Sequence, residues 1–238
     1  MKSIRLLGAA LLASTTLLGA GQAFAEVSQP SDPDPATAKT PINATLTLNE
    51  HPTAPEPPKG PDQGGTDDKQ PIDSLFGIAY VPGVLSGNQE LAPSGETRVS
   101  LTSSNSVNNP NNKHNVGVQD KTRGQDRNWT LKAQLQWEGA NAKYMQGAAI
   151  AATGGKVQMN DGQGNLSDVL GAEVTTEESS LNIGKNETTI MTAHSGKTVN
   201  GVYNYQFQNP ELVIPSSETV TGGQYTGNIV WNLSSVEE

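Results

Sequence analysis

Apolar and polar residues alternate with a period of two along most of the chain after residue 74, and this pattern predicts β-strands. Glycine, asparagine, aspartate and proline separate the runs, as in the turn sequences Asn160-Asp161-Gly162 and Thr221-Gly222-Gly223. The predicted strands are residues 75–81, 97–102, 115–119, 128–137, 156–159, 172–176, 188–192, 201–208, 211–214 and 224–233. Only residues 140–152 have the composition of a short helix. We therefore expect an all-β domain, a β-sandwich-like arrangement of antiparallel strands.

Two of the predicted strands carry heavy apolar side chains on one face. The first places on one side Trp129, Leu131, Ala133, Leu135 and Trp137. The second places on one side Tyr225, Gly227, Ile229, Trp231 and Leu233. Together these faces hold all 3 tryptophans of the chain. Because successive side chains of a strand point to opposite faces, each strand should have one buried and one solvated face, and both should lie in one sheet or in facing sheets.

The first 25 residues have the pattern of an export signal. Lys2 and Arg5 give a positive start, residues 6–18 are almost wholly apolar, and Ala23-Phe24-Ala25 is a small-x-small cleavage sequence. We expect cleavage after Ala25 and a secreted mature chain. No later segment is long and apolar enough to span a membrane, so we expect no membrane span after cleavage.

Residues 26–73 form a segment rich in proline and aspartate, which we interpret as a linker before a β domain at residues 74–238. Its centre, residues 51–61, should be extended and solvated, because proline-rich sequences form no internal backbone hydrogen bonds. One part of the segment differs: residues 42–48 alternate, with Ile42, Ala44, Leu46 and Leu48 on one side. This alternation predicts a strand, and we expect it to join the sheet of the later domain.

Composition and charge limit the classes of partner. The chain contains no cysteine, so an exported fold must rely on its core rather than on disulfides. The formal net charge is -9, which disfavours nucleic acid as a partner because its phosphates reward basic patches. Sugar polymers are not excluded, since their sugars are recognised by stacking and hydrogen bonds.

Enzyme signals are weak throughout the chain. His51, His114 and His194 lie far apart, and the adjacent His194-Ser195 pair has no positioned carboxylate or oxyanion donors in the sequence. Residues 160–165 lack the carboxylate spacing of a calcium loop, so they predict a hairpin turn. Glu177-Glu178 is interpreted as a charged loop. We expect a non-catalytic protein without a metal or cofactor.

Two segments resemble the paired motifs of a known family. Residues 128–135, Asn-Trp-Thr-Leu-Lys-Ala-Gln-Leu, and residues 225–233, Tyr-Thr-Gly-Asn-Ile-Val-Trp-Asn-Leu, resemble the proximal and distal Trp-x-Leu motifs of the WxL domain. Leu212-Val213-Ile214-Pro215 and Ile78-Ala79-Tyr80-Val81-Pro82 are also similar to sequences of that family. The resemblance covers roughly residues 42–234.

The resemblance implies a cell-surface protein of Gram-positive bacteria whose WxL domain binds peptidoglycan non-covalently. It also implies possible partners among other WxL-family or wall-associated surface proteins. An alternative function is therefore a structural subunit that binds such proteins rather than the glycan itself. The candidate binding residues are Trp129, Leu131, Trp231 and Leu233.

These four residues allow two interpretations. Exposed indoles could stack on sugar rings. Alternation with leucine and isoleucine favours the core instead, because tryptophan is highly buried on average. In that case other side chains would build the binding surface, with Tyr144, Tyr203, Tyr205 and Lys132 as candidates.

Overall fold

The computed structural model describes residues 35–60, 62–103, 109–124 and 127–237, without the side chains of residues 127, 236 and 237. The predicted signal at residues 1–25 lies outside the described residues. The chain divides into two units, Met1–Thr47 and Leu48–Glu238. In the first unit, the described residues 35–47 contain no strand or helix, and their side chains are exposed.

The second unit is built almost entirely from strands. Its strands are β1 (Asp67–Lys69), β2 (Phe76–Pro82), β3 (Leu85–Ser86), β4 (Thr97–Ser100), β5 (Thr102–Ser103), β6 (Lys113–Asp120), β7 (Arg127–Trp137), β8 (Ala149–Asn160), β9 (Leu166–Asp168), β10 (Val174–Thr175), β11 (Leu181–Ile183), β12 (Thr188–Ala193), β13 (Gly201–Ile214) and β14 (Gly227–Glu237). Among the described residues, short 3-10 helices span Ala140–Tyr144 and Ser217–Thr219.

The strands form two main antiparallel sheets. The large sheet has the order β1-β2-β6-β13-β8-β11, with β4 also paired to β13 and β9 to β8. The small sheet has the order β10-β12-β7-β14. A two-stranded ladder joins β3 and β5. The predicted all-β, sandwich-like architecture with antiparallel strands is confirmed.

One apolar core receives side chains from both sheets. The large sheet contributes Val116, Tyr205 and Phe207, and the small sheet contributes Leu131 and Met191, each of them fully buried. This follows from the period of two, because every second residue of each strand points to the same side. The two apolar faces bury each other, which explains how a chain without cysteine holds its fold.

Some predicted elements differ from the structure. The strands predicted at 201–208 and 211–214 are one strand, β13, which bends at Asn209, where φ is 51° and the register with β8 shifts. The helix predicted over 140–152 is wrong beyond its first turn. Ala151 pairs with Asn182 of β11 and Glu211 of β13, and this pairing on both sides overrides the helix propensity of alanine.

The strand predicted at residues 42–48 is not formed. Residues 42–48 adopt no regular structure, and the exposed fractions of Ile42 and Leu46 are 86% and 93%. The alternation shows that this segment could present one apolar face as a strand. It does not show which strand would pair with it.

The proline-rich residues 52–60, named here the proline strap, form no strand or helix, and the expectation that they are solvated is wrong for three of the prolines. Pro55, Pro57 and Pro58 are buried. The backbone nitrogen of Glu56 donates to the carbonyl oxygen of Gly162 over 3.1 Å, and Asn160 Nδ2 donates to the carbonyl oxygen of Glu56 over 2.9 Å. The strap therefore belongs to the compact unit that begins at Leu48.

Buried polar side chains on the large sheet explain why the strap docks. Tyr80 Oη donates to Asn204 Oδ1 over 3.0 Å, and Asn204 Nδ2 donates to Asn115 Oδ1 over 3.0 Å. Asn115 Nδ2 then donates to the carbonyl oxygen of Gln63 over 2.7 Å. Extended proline-rich backbone has free carbonyl oxygens, because it forms no internal hydrogen bonds. The strap and the residues after it supply acceptors that this polar face requires.

Candidate functional site

The two Trp-x-Leu motifs lie side by side in the small sheet. Strand β14 pairs antiparallel with β7, and the register places Leu233 opposite Leu131 and Trp231 opposite Ala133. Directly opposed residues of an antiparallel pair point to the same face. The prediction that the two tryptophan-bearing strands share a sheet or face each other is confirmed, and both motifs point towards the core.

Trp129 and Leu131 are core residues. Their exposed fractions are 1% and 0%. The Trp129 ring contacts Phe76 and Tyr203, with centroids 6.3 Å and 6.2 Å away. Its Nε1 donates to Asp120 Oδ2 over 3.0 Å. Neither side chain presents a surface to a ligand in this structure.

Trp231 and Leu233 are only half-buried. They lie on β14, which is the last strand of the small sheet and has a neighbour on one side alone among the described residues. Trp231 packs opposite the small Ala133, so the fold accommodates a large side chain there. The distal motif is therefore closer to solvent than the proximal one.

The outer face of the same two strands is polar. Lys132 Nζ and Asn232 Nδ2 both donate to the carboxylate of Glu187, over 3.4 Å and 2.9 Å. The hydroxyls of Thr130 and Ser234 lie 3.1 Å apart. Lys132, one of the candidate surface residues, thus has a carboxylate partner and helps to join β14 to β7.

A cleft of about 410 Å³ lies at the end of β7. The strand end, the segment with the first 3-10 helix and the loop after β11 surround it. Its lining residues are Gln134, Leu135, Gln136, Trp137, Ala142, Met145, Gln146, Gly147, Ala148 and Lys185. The cleft is therefore lined by side-chain amides, by the ammonium group of Lys185, by apolar side chains and by one indole, that of Trp137.

Trp137 forms one wall of this cleft and is half-buried. It lies against Gly227 of β14, where an added Cβ would be 2.9 Å from Trp137 Cε3. Its Nε1 is enclosed and has no hydrogen-bond partner among the described residues, unlike that of Trp129. Such a donor is uncommon in folded proteins, and the residue that carries it lines the cleft.

Lys185 supplies the positive charge of the cleft. The side chain is exposed, and it forms no ion pair with any residue that the structure describes. Lys132, by contrast, is held by Glu187. Lys185 is therefore free to bind an anionic or hydrogen-bond-accepting group at the cleft.

Sequence reasoning identified Trp137 only as a member of an apolar strand face. It lies outside both Trp-x-Leu tripeptides, and Met145, Gln146 and Lys185 come from other segments without any shared pattern. The signal that was available is the concentration of all the tryptophans on two strands. Positions in separate loops meet only after folding, so their assembly could not be read from spacing.

The other aromatic candidates divide between core and surface. Tyr203 and Tyr205 are buried, with exposed fractions of 1% and 0%, which is contrary to a role on the binding surface. Burial raises the pKa of each phenol well above its usual range. Tyr144 is half-buried, and Lys143 Nζ lies 5.0 Å from its ring centroid.

Each of the three histidines contacts a neighbouring polar side chain. His51 Nδ1 lies 2.9 Å from Asp73 Oδ1, and the carboxylate raises the histidine pKa. His114 is buried beside Asn112, and burial lowers its pKa to about 4. His194 Nε2 lies 2.6 Å from Thr175 Oγ1. The described part of the chain contains no cluster of three potential metal ligands.

Residues 160–165 form the predicted hairpin turn. They connect β8 to β9, which pair antiparallel. Asn160 Oδ1 accepts hydrogen bonds from the backbone nitrogens of Gly162 and Gly164, over 2.8 Å and 3.2 Å. The asparagine and the glycines thus shape a turn rather than a ligand loop.

Comparison with known families identifies one similarity. The family model described as WxL domain surface cell wall-binding matches residues 33–236, which include both Trp-x-Leu motifs and the cleft. Searches of curated proteins and of solved structures gave no match. Among the described residues, no helix is both long and apolar enough to cross a membrane.

Proposed function

Because the chain belongs to the WxL domain family of cell wall-binding surface proteins, we propose that it attaches directly and non-covalently to peptidoglycan. Its family is one of wall-binding domains, and its location is the cell wall at the cell surface. In this proposal the glycan itself is the ligand, and no second protein is required for attachment. The protein acts by binding and not by catalysis.

The cleft at the end of β7 is the observation that carries this proposal. Sugar rings have apolar faces that stack on aromatic side chains, while their hydroxyl and acetamido groups need hydrogen-bond partners. The cleft offers the half-buried indole of Trp137 together with Gln134 and Gln136. Its volume of about 410 Å³ lies within the range of small-ligand sites, about 300–1,000 Å³.

Lys185 gives the cleft a means to bind peptidoglycan in particular. Peptidoglycan carries carboxylates on its peptide stems beside the acetamido sugars. An exposed ammonium group without an ion-pair partner can bind such a carboxylate.

The Trp-x-Leu residues have two different roles in this proposal. Trp129 and Leu131 act through the fold, since the core position of β7 fixes where its far end and Trp137 lie. Trp231 and Leu233, which are half-exposed on β14, remain candidates for direct contact with a glycan strand that extends from the cleft.

Co-sedimentation with peptidoglycan sacculi that have been freed of protein tests the proposal. We expect the purified protein to pellet with the sacculi in a saturable manner, and to be released by soluble muropeptides. Failure to pellet with clean sacculi, together with recovery of binding when a wall extract is added back, would contradict direct attachment.

A second function, binding to other wall-associated proteins, is favoured by a different feature. The outward edge of β14 has no strand partner among the described residues. Open edges are common sites for an added strand from another protein. Adding back the wall extract in the sacculus experiment distinguishes the two functions, because only binding to wall-associated proteins requires a protein from the extract.

A further inference from the structure

An unpaired strand edge runs along the small sheet. β14 spans Gly227–Glu237, 11 residues, and pairs with β7 over that whole length. On its other side no strand pairs with it among the described residues, so its outward backbone groups lack sheet partners. The sequence from 227 to 236 contains no proline and no charged residue. Proline and charged side chains usually protect an edge strand from pairing with another strand.

The apolar side of β14 is also incompletely covered. Ile229, Trp231 and Leu233 point to the core side, yet each remains half-buried. In β7, the neighbouring strand, Leu131 and Leu135 are buried, with exposed fractions of 0% and 5%. A further strand beside β14 would cover these side chains as β14 covers those of β7.

The same chain contains a segment with the properties of the missing strand. Residues 42–48, Ile-Asn-Ala-Thr-Leu-Thr-Leu, alternate apolar and polar side chains and carry no charge. The segment is in no strand, and Ile42 and Leu46 are largely exposed. Pro41 and Pro52 lie on either side of it, so the stretch without proline, residues 42–51, is long enough for an ordinary strand of about 5–6 residues.

We propose that residues 42–48 of one copy add as a strand to the open edge of β14 in a second copy. Among the described residues, the donor and the outward edge of β14 are both unpaired within one chain, and residues 42–48 and 227–236 carry no charge. Backbone hydrogen bonds would supply affinity, and alternate side chains of the donor would cover Ile229, Trp231 and Leu233. Each copy has one donor and one acceptor, so the copies close as a dimer or extend as a filament.

Self-association of the exported protein in solution tests this proposal. Sedimentation velocity should give a mass that rises with concentration to at least about twofold that of a single chain. Thr45→Pro removes a backbone donor and fixes φ in the middle of the segment, so the variant should stay monomeric. Thr37→Pro, outside the segment, is the matched control and should associate as the wild type does.

A charge on the acceptor provides a second arm. Val230→Lys places a lysine on the outer face of β14, a substitution that discourages edge pairing. Alone, this variant should be monomeric with an unchanged unfolding midpoint. Mixed with Thr45→Pro it should form a heterodimer, because one variant retains the donor and the other the acceptor.

Three results would overturn the proposal. One is a monomeric wild type at every concentration, and another is equal association of Thr45→Pro and Thr37→Pro. The third is failure of the mixture to associate although both variants fold. If Val230→Lys does not fold, the comparison of the two proline variants still decides the matter. None of these measurements uses the cell wall, so the outcome is separate from that of peptidoglycan binding.

Discussion

Trp129 Nε1 donates a hydrogen bond to Asp120 Oδ2, and the two atoms lie 3.0 Å apart inside the protein. Asp120 ends β6 of the large sheet, and Trp129 lies near the start of β7 in the small sheet. The other carboxylate oxygen of Asp120 accepts hydrogen bonds from the backbone nitrogen and the hydroxyl of Thr122, over 3.0 Å and 2.6 Å. Trp129, the tryptophan of the proximal motif, thus links the large sheet to the small sheet near the connection from β6 to β7.

Trp129→Ala should therefore destabilise the domain strongly. The substitution removes a fully buried indole, and such losses reduce the free energy of unfolding by about 3–5 kcal/mol. Trp129→Phe should cost less, about 1–3 kcal/mol, mainly because Asp120 Oδ2 is left without its donor. Trp231→Ala, on the half-buried edge strand, should cost less than Trp129→Ala.

Urea unfolding followed by circular dichroism measures these differences. Equal losses for Trp129→Ala and Trp231→Ala would contradict the assignment of the first to the core and the second to the edge.

A pair of glycines tests whether the segment after the proline strap is docked. Gly60 and Gly64 have nearly the same backbone conformation, with φ of 100° and 102°. A Cβ at Gly64 would lie 2.6 Å from Asn115 Nδ2, whereas a Cβ at Gly60 would meet nothing within 4 Å. Gly64→Ala should therefore lower the free energy of unfolding by about 1–3 kcal/mol more than Gly60→Ala.

Because strain at positive φ is common to both variants, their difference reports packing alone. Indistinguishable thermal midpoints would mean that this segment is not docked on Asn115 in solution.

Limited proteolysis should cut the chain before the strap and spare the strap itself. Residues 35–47 are exposed and have no regular structure, while Pro55, Pro57 and Pro58 are buried. Cleavage requires local unfolding, which docked backbone resists. Mass spectrometry of the first fragments should place the earliest cuts within residues 35–47. First cuts within residues 52–60 would instead favour the solvated linker expected from the sequence.

Asp67 should make stability depend on pH. Burial raises the pKa of Asp67 to about 7, although Asn115 donates two hydrogen bonds to its carboxylate, which act in the opposite direction. The folded state then retains a proton that the unfolded chain loses at its ordinary pKa of about 4. The contribution of this group is fully present below about pH 4 and is lost as pH rises to about 7.

The urea midpoint of the wild type should accordingly include a component that falls between about pH 4 and about pH 7. Asp67→Asn should remove that component, and Glu177→Gln, at an exposed loop position, should retain it. Parallel pH profiles for the wild type and Asp67→Asn would show that Asp67 does not titrate in this range.

The strands of the sandwich were predictable, because alternation is a local property that burial on one face imposes. That β7 and β14 lie in one sheet or in facing sheets also followed, since both carry tryptophan and leucine on one side, but their direct pairing was not predicted. The docked strap did not follow from the sequence. Proline-rich backbone usually remains in water, and only the folded large sheet shows that Asn160 donates to Glu56 of the strap and that Asn115 donates to Gln63 just after it. Trp137 was visible as a residue of β7, but its cleft depends on Lys185 from a distant loop.

Direct binding by the cleft is tested by isotherms of three proteins on protein-free sacculi. Gln136→Ala combined with Lys185→Gln removes two exposed cleft side chains, and Gln89→Ala combined with Lys197→Gln changes the same residue types at exposed positions that do not line it. The wild type and the control should bind equally, and the cleft variant about tenfold more weakly with an unchanged unfolding midpoint. Equal binding by all three proteins, or no binding by the wild type, would contradict the account.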